Sequence, residues 1–337
     1  MNTIRSFPIA DLHCDLLCYL SRNQQRTAYD MGVRCAIPQL RQGNVKVQTM
    51  AIFSETAIGS AKEGLAQASV FKLLPKQYPG IFEIVHSQAQ LDNLDHSEKI
   101  GILPAIENAS GFFEETEDLD KALQQFRAWQ KKIGKIAYMS LTWNTENRFG
   151  GGALTKVGLK RDGQRLIELM SQWKIPLDLS HASDYLAFDI LNYLEKTGLS
   201  LPLLASHSNM RAVADVPRNL PDDLVLEIVR RKGIIGLNFF RNFVGRESPA
   251  NFIKHFDHVL RLGGERHVCF GADFFHNDDL PDGYQKTPEE AFFPSYDNAG
   301  AYHKILDLWK QHLYPSEKAL AYICYQNFVD FFKKNLF

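Results

Sequence analysis

Short apolar runs recur along this chain, and several of them stop at a residue able to bind a metal or carry a proton. Eight runs read as strands, at roughly 8–14, 45–53, 100–107, 136–142, 175–180, 201–206, 234–239 and 267–273. They are apolar with little alternation, the pattern of parallel strands buried on both faces. Helical patterns fall between most of them, at 61–77, 118–133, 162–173, 184–196, 221–232 and 249–262. The segment Glu317 to Lys334 sets Leu320, Ile323, Phe328 and Phe331 on one face and predicts a final helix. Strand and helix alternating eight times predict an α/β fold, a (β/α)8 TIM-type barrel occupying residues 1–337 as a single domain. A doubly wound open sheet is the competing arrangement.

Two long polar loops interrupt the alternation. One runs over about 144–163 and carries Gly150-Gly151-Gly152; the other runs over about 274–299 and carries Pro281, Gly283, Pro288 and Pro294. Both follow predicted strands, so both fall on the rim where the chemistry of such a barrel resides. The glycine run has neither G-x-G-x-x-G nor a following G-K-[ST], so it reads as a flexible rim loop and not as a phosphate cradle.

The strand ends supply the candidate chemistry. His13 and Asp15 are two residues apart, a spacing that points both to the same face of a strand. Glu107 ends the run Ile100 to Ile106. His181 and His207 each sit in a Ser-His pair directly after an apolar run, and Asp273 ends the run Val268 to Ala272. Three imidazoles and the carboxylates gathered on one rim suit a pair of divalent metal ions and hydrolysis assisted by them. Neither Ser180 nor Ser206 lies in a G-x-S-x-G elbow, which argues against a serine nucleophile. Arg218 follows the His207 strand and suits bidentate recognition of a carboxylate. Asp278 and Asp279 read as solvated loop charges, and the remaining histidines lack a strand-end position, with His276 lying in the loop after the eighth strand. Cys14 should face away from His13 and Asp15.

Bulk composition removes some alternatives. Net charge is -1 at pH 7, which leaves no basic footprint for nucleic acid or an anionic membrane. The N-terminus has no apolar signal core, and no run approaches the roughly 18 apolar residues of a membrane span. Five cysteines without a C-x-x-C pair suit a reducing compartment. These features predict a soluble, cytoplasmic protein.

Five blocks together resemble the membrane (renal-type) dipeptidases of the amidohydrolase superfamily. They are Asp11-Leu12-His13-Cys14-Asp15; Gln39-Leu40-Arg41-Gln42-Gly43-Asn44-Val45 with Gln48; Gly158-Leu159-Lys160 through Gly163 to Asp178-Leu179-Ser180-His181; Ser206-His207-Ser208-Asn209 with Pro217 to Asp223; and Gly271-Ala272-Asp273-Phe274. They span nearly the whole chain. The resemblance implies a metal-dependent barrel hydrolase with two zinc ions sharing a hydroxide. His13 and Asp15 would bind one ion, His181 and His207 the other, and Glu107 would bridge them. Arg218 would hold the substrate's C-terminal carboxylate, Asp273 would shuttle a proton, and Trp143 and Asn144 would line the substrate site. The implied substrates are dipeptides, some with a C-terminal D-residue, and the implied assembly is a homodimer.

Two departures stand out. Where the family usually has Leu-Thr-His-Asn, this chain has Leu141-Thr142-Trp143-Asn144, and Tyr325-Gln326-Asn327 keeps the Asn of a Gly-x-Asn while losing its Gly. Rival readings are another metal-dependent amidohydrolase, acting on an N-acyl amino acid, lactone or phosphoester, and a metal-binding barrel that has lost activity.

Overall fold

The apolar runs lie side by side and parallel in the computed structural model, which describes residues 7–279, 291–313 and 315–337. The strands are β1 (Ile9–Cys14), β2 (Val45–Phe53), β3 (Phe82–Ile84), β4 (Ile100–Glu107), β5 (Met139–Ser140), β6 (Leu177–Asp178), β7 (Leu203–Ala205), β8 (Ile234–Leu237) and β9 (Val268–Phe270). Their order is β2-β1-β9-β8-β7-β6-β5-β4-β3, and β2 also pairs with β4. That extra pairing, running from Val47↔Gly101 to Phe53↔Glu107, closes eight strands into a barrel. The predicted (β/α)8 fold is therefore the observed one.

β3 was not legible in the sequence. Its three residues pair with the start of β4, at Phe82↔Ile100 and Ile84↔Ile102, while β5 takes the same edge higher up, at Ile106↔Met139. A strand this short carries too few apolar positions to show a period. Helices stand at Ser60–Gln77, Leu119–Ile133, Arg161–Trp173, Asp184–Thr197, Asp222–Arg230 and Asn251–Arg261, close to their predicted limits. The helix Tyr302–Leu313 lies outside the predicted elements and buries Tyr302, Ile305, Leu306 and Trp309.

The predicted final helix is broken in the middle. Glu317–Ala321 and Asn327–Asn335 are joined by a π-helical turn over Tyr322–Gln326. Such a turn re-aims the side chains beyond it. Asn327 then donates from Nδ2 to the carbonyls of Glu265 and Val268, both at 2.8 Å, at the start of β9. Phe328, Val329 and Phe332 join Ala10, Leu12, Leu103, Ala105, Leu204 and Cys269 in one buried cluster. The last helix thus seals the end of the barrel where the strands begin, leaving the other end for chemistry.

The glycine run is not a flexible loop. Gly150, Gly151 and Gly152 are buried. A Cβ at Gly151 would lie 2.3 Å from the Val157 carbonyl oxygen, and one at Gly152 would lie 2.0 Å from that of Trp143. Asn147 holds the turn: its Nδ2 donates to the Leu141 carbonyl at 2.7 Å, and its Oδ1 accepts from Phe149 N at 2.8 Å. The glycines are there because the backbone folds onto itself too closely for a side chain. The helix expected from 162 begins at Arg161, which ends this loop. In the second predicted rim loop, residues 280–290, with Pro281, Gly283 and Pro288, lie outside the described residues.

Candidate metal centre

The strand ends bring six predicted residues to one place. His13 Nε2 lies 3.2 Å from Glu107 Oε2, 3.7 Å from Asp273 Oδ1 and 3.9 Å from Asp15 Oδ2. The other Glu107 oxygen, Oε1, lies 2.9 Å from His181 Nε2 and 3.6 Å from His207 Nε2. One carboxylate therefore faces two donor groups at once. Asp15 has already left the strand, since β1 ends at Cys14 and Asp15 precedes the helix Leu16–Arg22. Its carboxylate still turns towards His13, while the buried Cys14 joins the cluster that packs the helices.

The protons of the three imidazoles are placed by their outer partners. His13 Nδ1 is 2.8 Å from the Tyr138 hydroxyl, whose own proton goes to the Leu12 carbonyl at 2.8 Å. That carbonyl can only accept, so His13 Nδ1 carries the proton and Nε2 presents a lone pair. His207 Nδ1 lies 2.6 Å from Ser206 Oγ, which in turn donates to Asp178 Oδ2 at 2.5 Å. His181 Nδ1 faces Asn144 Oδ1 at 2.9 Å. All three imidazoles are therefore oriented from behind with Nε2 bare. Two of those lone pairs, on His181 and His207, face each other at 2.9 Å. Lone pairs do not hydrogen-bond to each other, and carboxylates crowd the same space. Such an arrangement is stable around cations.

The electrostatics agree. Burial works against charge on His13, but Glu107, Asp15 and Asp273 outweigh it and hold its imidazole up at about 10, so with no metal ion these carboxylates draw a proton onto Nε2, the place a metal ion would take. Burial, then Arg218, push His181 down to about 3. Burial raises Asp273 to about 6, with Glu107 adding to it and His13, Asn238 and Arg218 opposing. Donor atoms within 4.8 Å of one another form three overlapping groups: His13, Asp15 and Glu107; Glu107, His181 and His207; His13, His207 and Asp273. Nitrogen and oxygen donors without thiolate suit zinc, and equally manganese, iron or cobalt.

Local backbone strain marks the same strand ends. His181 and Asp273 have positive φ, of 66° and 63°, as does Asn108 beside Glu107, with φ of 71°. Such residues cost energy and concentrate at functional sites. Arg218 is buried beside the cluster. Its Nη1 donates to Ser208 Oγ at 2.9 Å and its Nη2 to the His207 carbonyl at 3.0 Å, while Nε has no partner among the described residues. A buried guanidinium without a carboxylate partner among the described residues is prepared for an anionic ligand.

Trp143 stands at the mouth, its ring 5.2 Å from that of Phe53 and 5.8 Å from that of His181. Asn144 lines the same cavity and anchors His181 from it. The sequence does not assign several roles that the barrel brings out. Tyr138, Asp178 and Ser206 orient imidazoles, and Asn238 donates to Asp273 Oδ2 at 2.9 Å. Their strand-end neighbours gave a hint, but only the barrel shows which side chains meet. Asp279, read as a solvated charge, is buried at the cavity and paired with Arg22 and Arg26 at 3.1 and 2.9 Å.

A closed parallel barrel carrying imidazoles and carboxylates at its strand ends defines a metal-dependent hydrolase of the amidohydrolase type. The family model for membrane dipeptidases, peptidase family M19, matches residues 2–290, and the chain belongs to that family of metal-dependent dipeptidases. A Klebsiella pneumoniae protein from the region 5′ of pqqA is 29% identical over 223 residues, which cover 62% of this chain and 77% of that protein. An uncharacterised dipeptidase of Schizosaccharomyces pombe is 26% identical over 312 residues, 83% of this chain and 72% of its own. A metallopeptidase of Rhodobacter sphaeroides, solved with a phosphinate mimic of the dipeptide L-Ala-D-Ala, shares the fold with a TM-score of 0.82 at 22% identity, covering 98% of this chain and 99% of that one.

Proposed function

We propose that this chain hydrolyses the peptide bond of free dipeptides, including dipeptides with a C-terminal D-residue, at a centre of two divalent metal ions, with zinc as the metal. The observation that carries this reading is the convergence of three bare imidazole nitrogens on the two oxygens of Glu107. His13 and Asp15 would hold one ion, His181 and His207 the other, with Glu107 between them. When bound, such a pair supplies a Lewis acid for the scissile carbonyl and makes water a nucleophile at neutral pH.

The remaining roles belong to the chain. Asp273 takes the proton of the attacking water and returns it to the leaving amine. Burial raises its carboxyl, the direction that lets a proton acceptor also give the proton back. Asn238, donating at 2.9 Å, keeps Oδ2 in place and leaves Oδ1 towards His13. Arg218 holds the substrate's free carboxylate, with Nε and the remaining guanidinium protons as donors. This anchor confines the site to short substrates. Trp143 walls one side of the substrate space, and Asn144 fixes His181. The mimic of L-Ala-D-Ala bound by the Rhodobacter sphaeroides peptidase supports the inclusion of a C-terminal D-residue.

Metal analysis of the purified protein, with assays on L-L and L-D dipeptides and on N-acyl amino acids, tests this. Glu107→Ala should lose most of its metal and its turnover. Asp273→Asn should keep its metal and lose about 100- to 10,000-fold in kcat. Loss of metal from Asp273→Asn would overturn the role given to Asp273. Cleavage of N-acyl amino acids with no dipeptide turnover would overturn the substrate.

A further inference from the structure

The cavity above the metal-binding cluster is walled by aromatic rings on two opposite sides. On the side of β2 and β5, Phe53 and Trp143 meet edge to face at 5.2 Å. On the side of β8 and β9, Phe240 lies 4.9 Å from Phe243 and 5.8 Å from Phe275. Trp143, Phe240 and Phe243 are only partly buried, so part of each ring meets solvent at the mouth. Rings held this way gain burial when an apolar group enters between them.

The two walls differ in their relation to the carboxylate anchor. The Arg218 guanidinium lies 5.4 Å from the Phe243 ring. A carboxylate held by Arg218 therefore places its own residue's side chain on the Phe240, Phe243 and Phe275 wall. The residue on the other side of the scissile bond falls towards Phe53 and Trp143, where the Trp143 ring lies 5.8 Å from His181. The charged lining between the walls is acidic, from Asp15, Glu107, Asp273 and Asp279. Arg22 and Arg26, the cations nearest Asp279, are already paired with it. Asp15 and Glu107 would be turned to the metal ions, so the apolar walls, and not this charge, decide which side chains fit.

Resting on the dipeptidase reading above, we propose that the site selects dipeptides apolar at both positions. The Phe240, Phe243 and Phe275 wall receives the C-terminal side chain, and the Phe53 and Trp143 wall receives the N-terminal one. Burial of a leucine or phenylalanine side chain sets the expected preference, about tenfold or more in kcat/KM over alanine, and more over aspartate, whose charge would lose its water between the rings.

Two dipeptide series test this on the metal-loaded enzyme, one varying the C-terminal residue and one the N-terminal residue through Ala, Leu, Phe, Asp and Lys. Phe240→Ser should flatten the C-terminal preference alone, and Trp143→Ser the N-terminal preference alone. A general loss of folding would lower both series together and could not produce this crossed pattern. Trp143→Phe should keep the preference. Calorimetric titration with phosphinate dipeptide mimics bearing Ala, Leu or Phe side chains should follow the same order without turnover. Turnover of both series with flat or acidic preference would overturn this proposal while leaving the dipeptidase reading intact. No turnover of any free dipeptide would overturn both.

Discussion

At the scale of single residues, the site depends on how each imidazole is held from behind. Asp178 illustrates this. Its Oδ1 accepts from Ser180 N at 3.0 Å and Ser206 N at 2.8 Å, and its Oδ2 accepts the Ser206 hydroxyl that orients His207. Burial pushes the Asp178 carboxyl up, and these donors oppose that. His255 shows the same logic away from the chemistry. Met210 N donates to its Nδ1 at 3.1 Å, so Nε2 carries the proton to the Val244 carbonyl at 2.9 Å. This neutral imidazole has no room for a second proton, and burial lowers it from 6.5 to about 4. The unfolded chain therefore takes up a proton at a higher pH than the folded one. Stability is unaffected above pH 6.5, falls as pH drops through 6.5 towards 4, and loses at most about 3 kcal/mol. Urea unfolding at pH 7 and pH 5 should show this fall in the parent and a smaller one in His255→Gln. Equal falls in both would refute the assignment.

At the scale of elements, the loop from Asn144 to Lys160 is held by its own hydrogen bonds around buried glycines. Asn147 gathers its carbonyls and amides, and Lys160 Nζ donates to the Asn147 carbonyl at 2.6 Å. Close approach of Gly152 to Trp143 connects this loop to the mouth of the site. Gly152→Ala would put a methyl group 2.0 Å from the Trp143 carbonyl oxygen and 2.5 Å from the Asn144 carbonyl carbon. Backbone cannot yield as a flexible side chain does, so a loss of about 1–3 kcal/mol is expected. Dipeptide turnover should fall with it, because Asn144 holds His181. An unchanged urea midpoint would show that the loop relaxes freely. The π-helical turn at Tyr322–Gln326 belongs to the same scale: it brings Asn327 to the start of β9, a detail that a simple helical period does not contain.

At the scale of the whole molecule, barrel closure is what makes one centre out of distant segments. Residues 13 and 273 are neighbours because β1 pairs with β9, at Asp11↔Phe270. Asp11 secures this seam, accepting from Ala272 N at 2.9 Å, Gln48 Nε2 at 2.9 Å and the Tyr302 hydroxyl at 2.7 Å. The carboxylates pressed together at the rim repel one another, as do the facing lone pairs of His181 and His207, when no metal ion joins them, so metal should stabilise the fold as well as the reaction. A thousand-fold excess of zinc over its Kd should contribute about 4 kcal/mol per site. Chelation should therefore lower Tm, and readdition of zinc should restore it with two ions bound per chain. A Tm indifferent to both would refute a metal centre here. Among the described residues, no helix is long and apolar enough to cross a membrane.

The chain's own order of residues settled which segments become buried parallel strands, because burial on both faces demands apolar runs whatever their partners. It also settled which residues end those strands, since a polar group there must reach water, a charge or a ligand. His13, Asp15, Glu107, His181, His207 and Asp273 are visible on that ground alone. Other features depended on the tertiary structure. β3 exists only as a partner of β4, the glycine run is packed and not flexible, and Asp279 is buried by its arginines. Each is decided by contacts between segments far apart in sequence, where local pattern has no purchase. The tautomers of the three imidazoles belong with them, because Tyr138, Asn144 and Ser206 orient those rings only once the strands have closed.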